Sequence, residues 1–348
     1  MLNGTLELAD GTLIRGKSIG VPSFASGEVV FTTGMVGYPE ALTDPSYRGQ
    51  ILVFTYPLIG SYGVAEKTYE SQAIQVEGII MSEDINNYSH HSAIKSLTMW
   101  FEEQGIPALS RIDTRALTLK LREHGVMGGK LYFHEEDKDR EIVDNNMRNL
   151  PSEISVGKPI ILGKGPIHIG LVDCGTKQGI IDSLLAEKIK LTILPWNWSD
   201  LDGYDGVVVG NGPGDPKMVM ETVENIRSYM KCKKPLLGIC LGNQIIALAA
   251  GGDTYKLSYG HRSHNQPVID TETDKAYLTT QNHGYAVDAK KLPSGWKEWF
   301  VNLNDGTNEG IRHNKLPFMS TQFHPEGRPG PEDTKWLFKY FVNLCRKY

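Results

Sequence analysis

The residues most able to do chemistry in this sequence are Gly238-Ile239-Cys240-Leu241-Gly242, which have the spacing of a nucleophile elbow. The apolar run 235–239 predicts a buried strand and 243–250 predicts a helix, with Cys240 at the sharp turn between them. Glycine flanks the turn because a Cβ atom there would collide across it. The backbone N–H of Leu241 then points to where an oxyanion would form. The alternative is a cysteine that only packs in the core, since free cysteine is among the most buried residue types.

A base for this cysteine is available in Phe323-His324-Pro325-Glu326. Residues 318–323 indicate a strand that Pro325 ends, because proline cannot donate to the strand ladder. His324 therefore lies at a strand end, and the carboxylate two positions later can hold its ring in one tautomer. Cysteine needs such a partner because the thiolate attacks, whereas free cysteine is mostly protonated at neutral pH. On its own, a histidine at a strand end is more often structural.

A glycine-rich loop, 210–216 (Gly-Asn-Gly-Pro-Gly-Asp-Pro), follows the apolar strand predicted at 206–209 and lets backbone N–H groups approach a ligand. In this chain order, the loop, the elbow and the His-x-Glu motif resemble the class I glutamine amidotransferases. The resemblance implies that Cys240 attacks the side-chain amide of glutamine, that His324 transfers the proton, and that Glu326 orients His324. It also implies that ammonia leaves and that water releases the glutamyl thioester as glutamate.

The first half of the chain makes the resemblance more specific. Residues 28–38, 42–47, 55–60 and 112–115 are similar to the small subunit of carbamoyl-phosphate synthetase, and other glutamine amidotransferases do not carry this preceding domain. The resemblance covers essentially the whole chain. From the residues alone, Thr43-Asp44-Pro45-Ser46 indicates only a turn.

The resemblance further implies a set of residues that bind glutamine. These are Ser46, Gly212, Gly214, Leu241, Gln244, Asn282, Gly284 and Tyr285. The backbone N–H groups of Gly212 and Leu241 are the expected oxyanion hole. Residues 281–287 are predicted to be a loop between strands, and the family often has Phe in place of Tyr285. The family also often has His in place of Asn243, a change past the elbow that is not expected to remove catalysis.

Length and composition restrict the class of protein. A length of 348 residues predicts two domains. The net charge of −5 does not indicate binding to nucleic acid or to an anionic membrane. The four cysteines have no paired or metal-ligand spacing, which favours a reducing compartment. The N-terminus lacks a secretory signal pattern, and the longest apolar tract, 235–252, is too broken to span a bilayer. A cytoplasmic protein without membrane contact is expected.

The element pattern divides the chain into a domain at 1–150, a linker at 151–166 and a domain at 167–348. The first domain is predicted to be mixed α/β, with these elements: a hairpin at 6–16, strands at 28–33 and 51–56, helices at 98–103 and 114–124, and a charged helix or linker at 136–147. From residue 167 onwards, strands and helices alternate. This alternation predicts an α/β fold with a mostly parallel sheet and helices on both faces.

No cofactor and no metal site are expected in this chain. It has no G-x-x-x-x-G-K-[ST] motif for ATP. His261 and His264 stand at positions i and i+3, but no cysteine or acidic ligand stands near them in the sequence, and two ligands do not make a site. The resemblance implies that ATP, Mg²⁺ and bicarbonate belong to a synthetase partner, either a large subunit or fused synthetase domains. That partner would make carbamoyl phosphate from the ammonia that this chain supplies.

Two alternatives keep part of this interpretation. One is a γ-glutamyl hydrolase that acts without a partner, and the other is a catalytically silent regulatory domain of a synthetase. The sequence leaves open whether the chain is a free subunit or a segment of a fused polypeptide. It also does not decide between arginine and pyrimidine synthesis.

Overall fold

The computed structural model describes residues 2–65 and 69–348. The chain divides into two compact units, Met1–Arg148 and Asn149–Tyr348. The segment 151–166, predicted as a linker, holds a short helix and a strand that joins the sheet of the second unit. The apolar side chains Ile160, Ile161 and Leu162 explain this difference, because they favour pairing with the apolar strand at Lys190–Pro195.

The first unit is built around a closed seven-stranded barrel with the strand order β1-β2-β6-β5-β4-β3-β7. Its strands are β1 (Asn3–Leu8), β2 (Leu13–Ser18), β3 (Ala25–Thr32), β4 (Gln50–Phe54), β5 (Gly78–Ile80), β6 (Ala108–Ser110) and β7 (Met127–Tyr132). Its helices are α1 (Tyr38–Thr43), α2 (Leu97–Gln104) and α3 (Thr114–His124). The predicted hairpin, strands and helices are all present, and the segment predicted as a charged helix or linker holds two short 3-10 turns.

Alternating side chains place apolar groups on both faces of the barrel strands. Val29 of β3 shares an apolar cluster with α3 residues, whereas its neighbour Val30 shares a second cluster with residues of α1 and α2. Asp113 begins α3 as predicted, since its side chain accepts a hydrogen bond from the Ala116 N–H at 2.9 Å.

The second unit contains a ten-stranded sheet. Its strands are β8 (Ile160–Leu162), β9 (His168–Asp173), β10 (Lys190–Pro195), β11 (Gly206–Val209), β12 (Leu236–Ile239), β13 (Thr254–Asp270), β14 (Ala276–Val287), β15 (Trp296–Asn302), β16 (Asn308–His313) and β17 (Phe318–Thr321). Its helices are α4 (Pro151–Ile154), α5 (Gln178–Ala186), α6 (Met220–Tyr229), α7 (Leu241–Ala250) and α8 (Trp336–Cys345).

Five neighbouring strands, β17-β12-β11-β9-β10, are parallel and form the centre of this sheet. The strands β16, β15, β13 and β14 extend it as antiparallel neighbours. The segment 281–287 lies inside β14, so the prediction of a loop there is wrong. Pairing with β13, in which Asn282 stands opposite Arg262, overrides the turn-like local composition.

Helices cover both faces of the parallel strands, which confirms the predicted α/β class. Successive residues of a strand point to opposite faces. Accordingly, Leu171 packs in one apolar cluster with α5 and α8, and its neighbour Val172 packs in another with α6 and α7. Within the described ranges 2–65 and 69–348, the helices are all too short or too polar to cross a bilayer.

The strand order decides where chemistry can occur. The strands β17, β12, β11 and β9 are parallel neighbours, so the segments that follow them emerge at one edge of the sheet. Those segments carry His324, Cys240, the glycine-rich loop and Lys177, respectively.

Candidate active site

Cys240 occupies the strained turn that its flanking glycines predict. It joins β12 to α7 with φ 55° and ψ −102°, a conformation that residues other than glycine rarely adopt. A Cβ atom on Gly238 would overlap the carbonyl oxygen of Gly242, and one on Gly242 would overlap that of Val209. The Cys240 N–H donates to the Thr321 carbonyl at 2.8 Å, which ties the turn to the end of β17. The side chain of Cys240 is buried.

His324 follows β17 and lies between a carboxylate and the cysteine. Its Nδ1 is 2.8 Å from Oε1 of Glu326, and its backbone N–H donates to the Thr280 carbonyl on β14 at 2.9 Å. Its Nε2 is buried without a hydrogen bond of regular geometry, although the Cys240 side chain is close enough to favour the protonated ring. The structure therefore brings together the sulfur, the imidazole and the carboxylate that the sequence predicts.

Lys177 completes a buried group that we name the elbow cluster: Cys240, His324, Glu326 and Lys177. The Lys177 ammonium lies 2.8 Å from Oε1 of Glu326, and the two side chains are 2% and 0% exposed. It also donates to the Arg328 carbonyl at 2.6 Å. Removing one partner of such a buried charge pair costs more stability than the intact pair contributes, because the remaining charge is left buried without compensation.

The charges of this cluster oppose the effect of burial. Burial alone would lower the pKa of His324, but the Glu326 carboxylate, aided by the Cys240 side chain, outweighs burial and raises it to about 10. Burial would likewise raise the pKa of Glu326, but Lys177 and His324 hold it well below its usual range. The cluster therefore favours a proton on His324, and a protonated imidazole can give that proton to a leaving group.

The expected oxyanion donors lie together. Leu241 is the first residue of α7, so its N–H has no acceptor within the helix. A Cβ atom on Gly212 would lie 2.9 Å from the Leu241 side chain, which shows how closely the glycine-rich loop approaches the elbow. Gly214 has φ 85°, a value that favours glycine. Gly212 and Leu241, which carry the two expected donors, are therefore close to each other.

Two of the predicted glutamine-binding residues, Asn282 and Tyr285 on β14, accept hydrogen bonds through their backbone carbonyls from Cys240 and from Gln244 in α7. The Cys240 thiol donates to the Asn282 carbonyl at 3.6 Å, and the Gln244 amide donates to the Tyr285 carbonyl at 2.8 Å. Tyr285 contributes its carbonyl, and not its hydroxyl, to this link. Gly284 lies between them on the same strand. Ser46 belongs to the first unit, where it is buried in the 3-10 turn Pro45–Tyr47.

Sequence reasoning missed Lys177 and Asn211. The side-chain oxygen of Asn211 accepts the Lys177 N–H at 2.9 Å, so the glycine-rich loop and the segment after β9 hold each other in place. One signal was available: Lys177 follows a strand that belongs to the same parallel set as the strands before Cys240 and His324.

The structure places two carboxylates beside His261 that lie far from it in the sequence. Oε1 of Glu309 lies 3.2 Å from its Nδ1, and Oδ2 of Asp305 lies 2.9 Å from its Nε2. His283, not His264, is the histidine grouped with it. The sequence conceals this arrangement because β13, β14 and β16 come together only in the folded sheet.

Comparison with known proteins gives two family matches. Residues 6–131 match the carbamoyl-phosphate synthase small chain, CPSase domain, and residues 170–344 match glutamine amidotransferase class-I. A carbamoyl phosphate synthase arginine-specific small chain of Chaetomium globosum is 45% identical over 362 residues, covering 99% of this chain and 78% of that protein. The protein of the same description from Neurospora crassa is 45% identical over 359 residues, covering 98% of this chain and 79% of that protein.

Solved structures that resemble the chain include a putative GMP synthase component of Thermoplasma acidophilum, with a TM-score of 0.47 and 23% identity over 52% of this chain and 95% of that one. A glutamine amidotransferase of Thermotoga maritima has a TM-score of 0.40 and 20% identity, over 53% of this chain and 86% of that one. The family matches and the 45% identity along nearly the whole chain are decisive. The chain belongs to the carbamoyl-phosphate synthase small chain family and carries a class-I glutamine amidotransferase domain.

Proposed function

We propose that this chain hydrolyses L-glutamine to glutamate and ammonia through a thioester on Cys240, and delivers the ammonia to a synthetase partner. The observation that carries the chemistry is the elbow cluster, in which a strained cysteine adjoins a buried imidazole that is held by a carboxylate 2.8 Å away. Nucleophile, base and orienting group in this relation are what acyl transfer from an amide requires.

The reaction proceeds in two halves. The Cys240 thiolate attacks the side-chain carbonyl carbon of glutamine, and the N–H groups of Leu241 and Gly212 stabilise the oxyanion. When the carbon–nitrogen bond breaks, His324 gives its proton to the leaving nitrogen and ammonia departs. Water then attacks the thioester while His324 takes its proton, and the carbon–sulfur bond breaks to release glutamate. Glu326 orients the ring in both halves.

The remaining assignments extend this proposal. Ser46, Gly214, Gln244, Asn282, Gly284 and Tyr285 bind glutamine, and the hydrolysis of glutamine on this chain uses no cofactor. The partner is a large subunit or the equivalent fused domains, which hold ATP, Mg²⁺ and bicarbonate and make carbamoyl phosphate. The family matches at 6–131 and 170–344 support the proposed domains at 1–150 and 167–348.

The proposal also covers the pathway that uses the product and the location of the protein in the cell. The curated relatives are named arginine-specific, which favours arginine synthesis over pyrimidine synthesis as the destination of the product. A cytoplasmic location is supported by the four cysteines, all of which are free.

Replacing Cys240 by Ser in the complex with the synthetase partner tests the function. We expect glutamine-dependent synthesis of carbamoyl phosphate to fall to background and ammonia-dependent synthesis to persist. The matched control is Cys232→Ser, which changes an exposed cysteine and should retain both activities. Glutamine-dependent synthesis by Cys240→Ser would rule out the mechanism. Glutaminase activity of the wild-type chain that is unaffected by the partner would favour the partner-independent hydrolase instead.

A further inference from the structure

A second buried group of titratable side chains lies on three strands of the second unit. We name it the histidine cluster: His261 on β13, His283 on β14 and Glu309 on β16, all buried. Each offers one ligand atom, and these atoms lie within 4.8 Å of one another. Oε1 of Glu309 is 3.2 Å from Nδ1 of His261 and 3.9 Å from Nε2 of His283. The proposed glutaminase chemistry uses none of these side chains.

The hydrogen bonds of His283 leave a lone pair directed into the cluster. Its Nδ1 lies 2.8 Å from the Tyr285 carbonyl oxygen, which only accepts, so Nδ1 carries a proton and, in the neutral ring, Nε2 is the acceptor. Nε2 faces Oε1 of Gln281 at 3.3 Å and Oε1 of Glu309 at 3.9 Å. The Gln281 amide nitrogen donates to Thr279 at 3.2 Å, which keeps its oxygen turned to the imidazole. Three acceptor atoms therefore converge with no proton between them.

Glu309 adds a further acceptor to this convergence. Its Oε2 is buried and has no hydrogen-bond partner among the described residues. Buried acceptors without donors are costly, and a bound cation is one of the few groups that satisfies several of them at once.

The outer partners of the cluster match those of metal ligands. A histidine that binds a metal generally donates its other ring N–H to a carboxylate or a backbone carbonyl. His261 faces Oδ2 of Asp305 at 2.9 Å with Nε2, and His283 faces the Tyr285 carbonyl with Nδ1. The ligating carboxylate is also held, because Asn302 donates to Oε1 of Glu309 at 3.0 Å. Each of the three side chains thus has its own orienting group.

We propose that the histidine cluster binds a divalent transition-metal ion of the zinc class through Nδ1 of His261, Nε2 of His283 and the carboxylate of Glu309. Bonds of about 2.0–2.1 Å in a tetrahedral site separate neighbouring ligand atoms by about 3.3 Å. The observed 3.2 Å already meets this requirement, the 3.9 Å separation must shorten by about 0.6 Å, and the two imidazole nitrogens, which lie within 4.8 Å of each other, must also draw together. Imidazole ligands select zinc-like ions over Mg²⁺ and Ca²⁺. Gln281 is placed to supply a fourth, oxygen ligand.

The ion has a structural role in this arrangement. It joins β13, β14 and β16, and β14 also provides the carbonyls of Thr280 and Asn282 that accept from His324 and Cys240. A metal that fixes β14 therefore steadies the elbow cluster without touching glutamine. The competing arrangement has no metal, with a doubly protonated His261 held between Asp305 and Glu309.

Zinc binding by the full chain separates the two arrangements. The chain is stripped with a chelator, dialysed against Zn²⁺, and its metal content measured after gel filtration. We expect one equivalent in the wild type and an affinity at least about 100-fold lower in Glu309→Gln, which keeps the side-chain shape. Asp305→Asn, which changes only an outer partner, is expected to weaken binding about 10-fold. Thermal unfolding with and without Zn²⁺ shows that each variant is folded and reports binding independently.

Three control variants locate the ion. His264→Asn, His90→Asn and Cys240→Ser should each retain the full equivalent, because those side chains lie outside the histidine cluster. Loss of zinc in Cys240→Ser would place the ion at the elbow, and loss in His90→Asn would place it on the surface pair His90 and His91. Either outcome overturns the proposal, as does a wild type that holds no more zinc than Glu309→Gln.

Discussion

The elbow cluster and the histidine cluster use the same pair of residue types to opposite electrostatic effect. In both, the Nδ1 of a buried imidazole faces a buried carboxylate, at 2.8 Å for His324 and Glu326 and at 3.2 Å for His261 and Glu309. Burial acts in the same direction on the two carboxyls, yet the pKa of Glu326 is lowered and that of Glu309 is raised. Identical residue types in contact therefore do not determine the charge state.

The difference comes from the charges around each carboxylate. Glu326 has the Lys177 ammonium 2.8 Å away, a fixed positive charge that outweighs burial. Burial and the nearby Asp305 raise the pKa of Glu309, and His261 and Asn302 offset this only in part. The charges around Glu326 consequently overcome burial and keep it ionised beside His324, whereas the charges around Glu309 do not overcome burial.

The largest effect is expected when the histidine of each cluster, His324 or His261, is replaced by Asn. His324→Asn should lower the rate of glutamine hydrolysis by about 10²–10⁴-fold, because it removes the general acid and base. His261→Asn should change that rate far less, since its ring does not adjoin the sulfur. Release of glutamate by each variant in the complex measures both. Equal losses in the two variants would contradict the assignment of different roles.

The second expected effect concerns Lys177, the residue that makes the clusters differ. Lys177→Met leaves Glu326 buried without its fixed cation and should reduce the free energy of unfolding by about 3–5 kcal/mol. The control is Lys335→Met, which removes an exposed pair with Glu332 and should cost no more than about 1 kcal/mol. Urea denaturation of both variants gives the two values. Similar small losses would show that the buried pair does not stabilise the cluster.

A smaller effect is expected in the pH dependence of stability. The pKa of His324 is raised in the folded chain, so its contribution is fully present below pH 6.5 and is lost as pH rises through about 10. Glu326 acts in the other direction, since its lowered pKa gives a contribution that is present above pH 4.5 and lost on acidification. The stability difference between the wild type and His324→Asn should therefore shrink from pH 6.5 to 10. A difference independent of pH in this range would contradict a charged imidazole.

The elbow cluster shows which parts of a site the sequence can predict. Cys240 and His324 were accessible because each sits in a short motif whose glycine, proline and apolar neighbours indicate a turn or a strand end. Lys177 has no such local mark, and its pairing with Glu326, far along the chain, depends on the order of parallel strands. The same limit applies to His261 and Glu309, which lie on strands that are not consecutive.

The fold shows the same division between local and distant information. Alternating apolar residues and the Asp113 cap predict individual strands and helices of the first unit. The closure of its barrel depends on pairing between β1 and β7, for example Thr5 with Tyr132, which no local pattern contains. In the second unit, Asn282, His283 and Gly284 favour a turn by composition, and only their pairing with β13 makes them a strand.

The central claim is that the Cys240 sulfur forms a covalent bond to the glutamyl group, and trapping that bond tests it most directly. The complex would be mixed with glutamine, quenched in acid during turnover, digested and analysed by mass spectrometry. We predict a glutamyl adduct on the peptide that contains Cys240, and none when His324→Asn replaces the wild type. An adduct on another cysteine, or turnover at full rate with no adduct on any cysteine, would contradict the account.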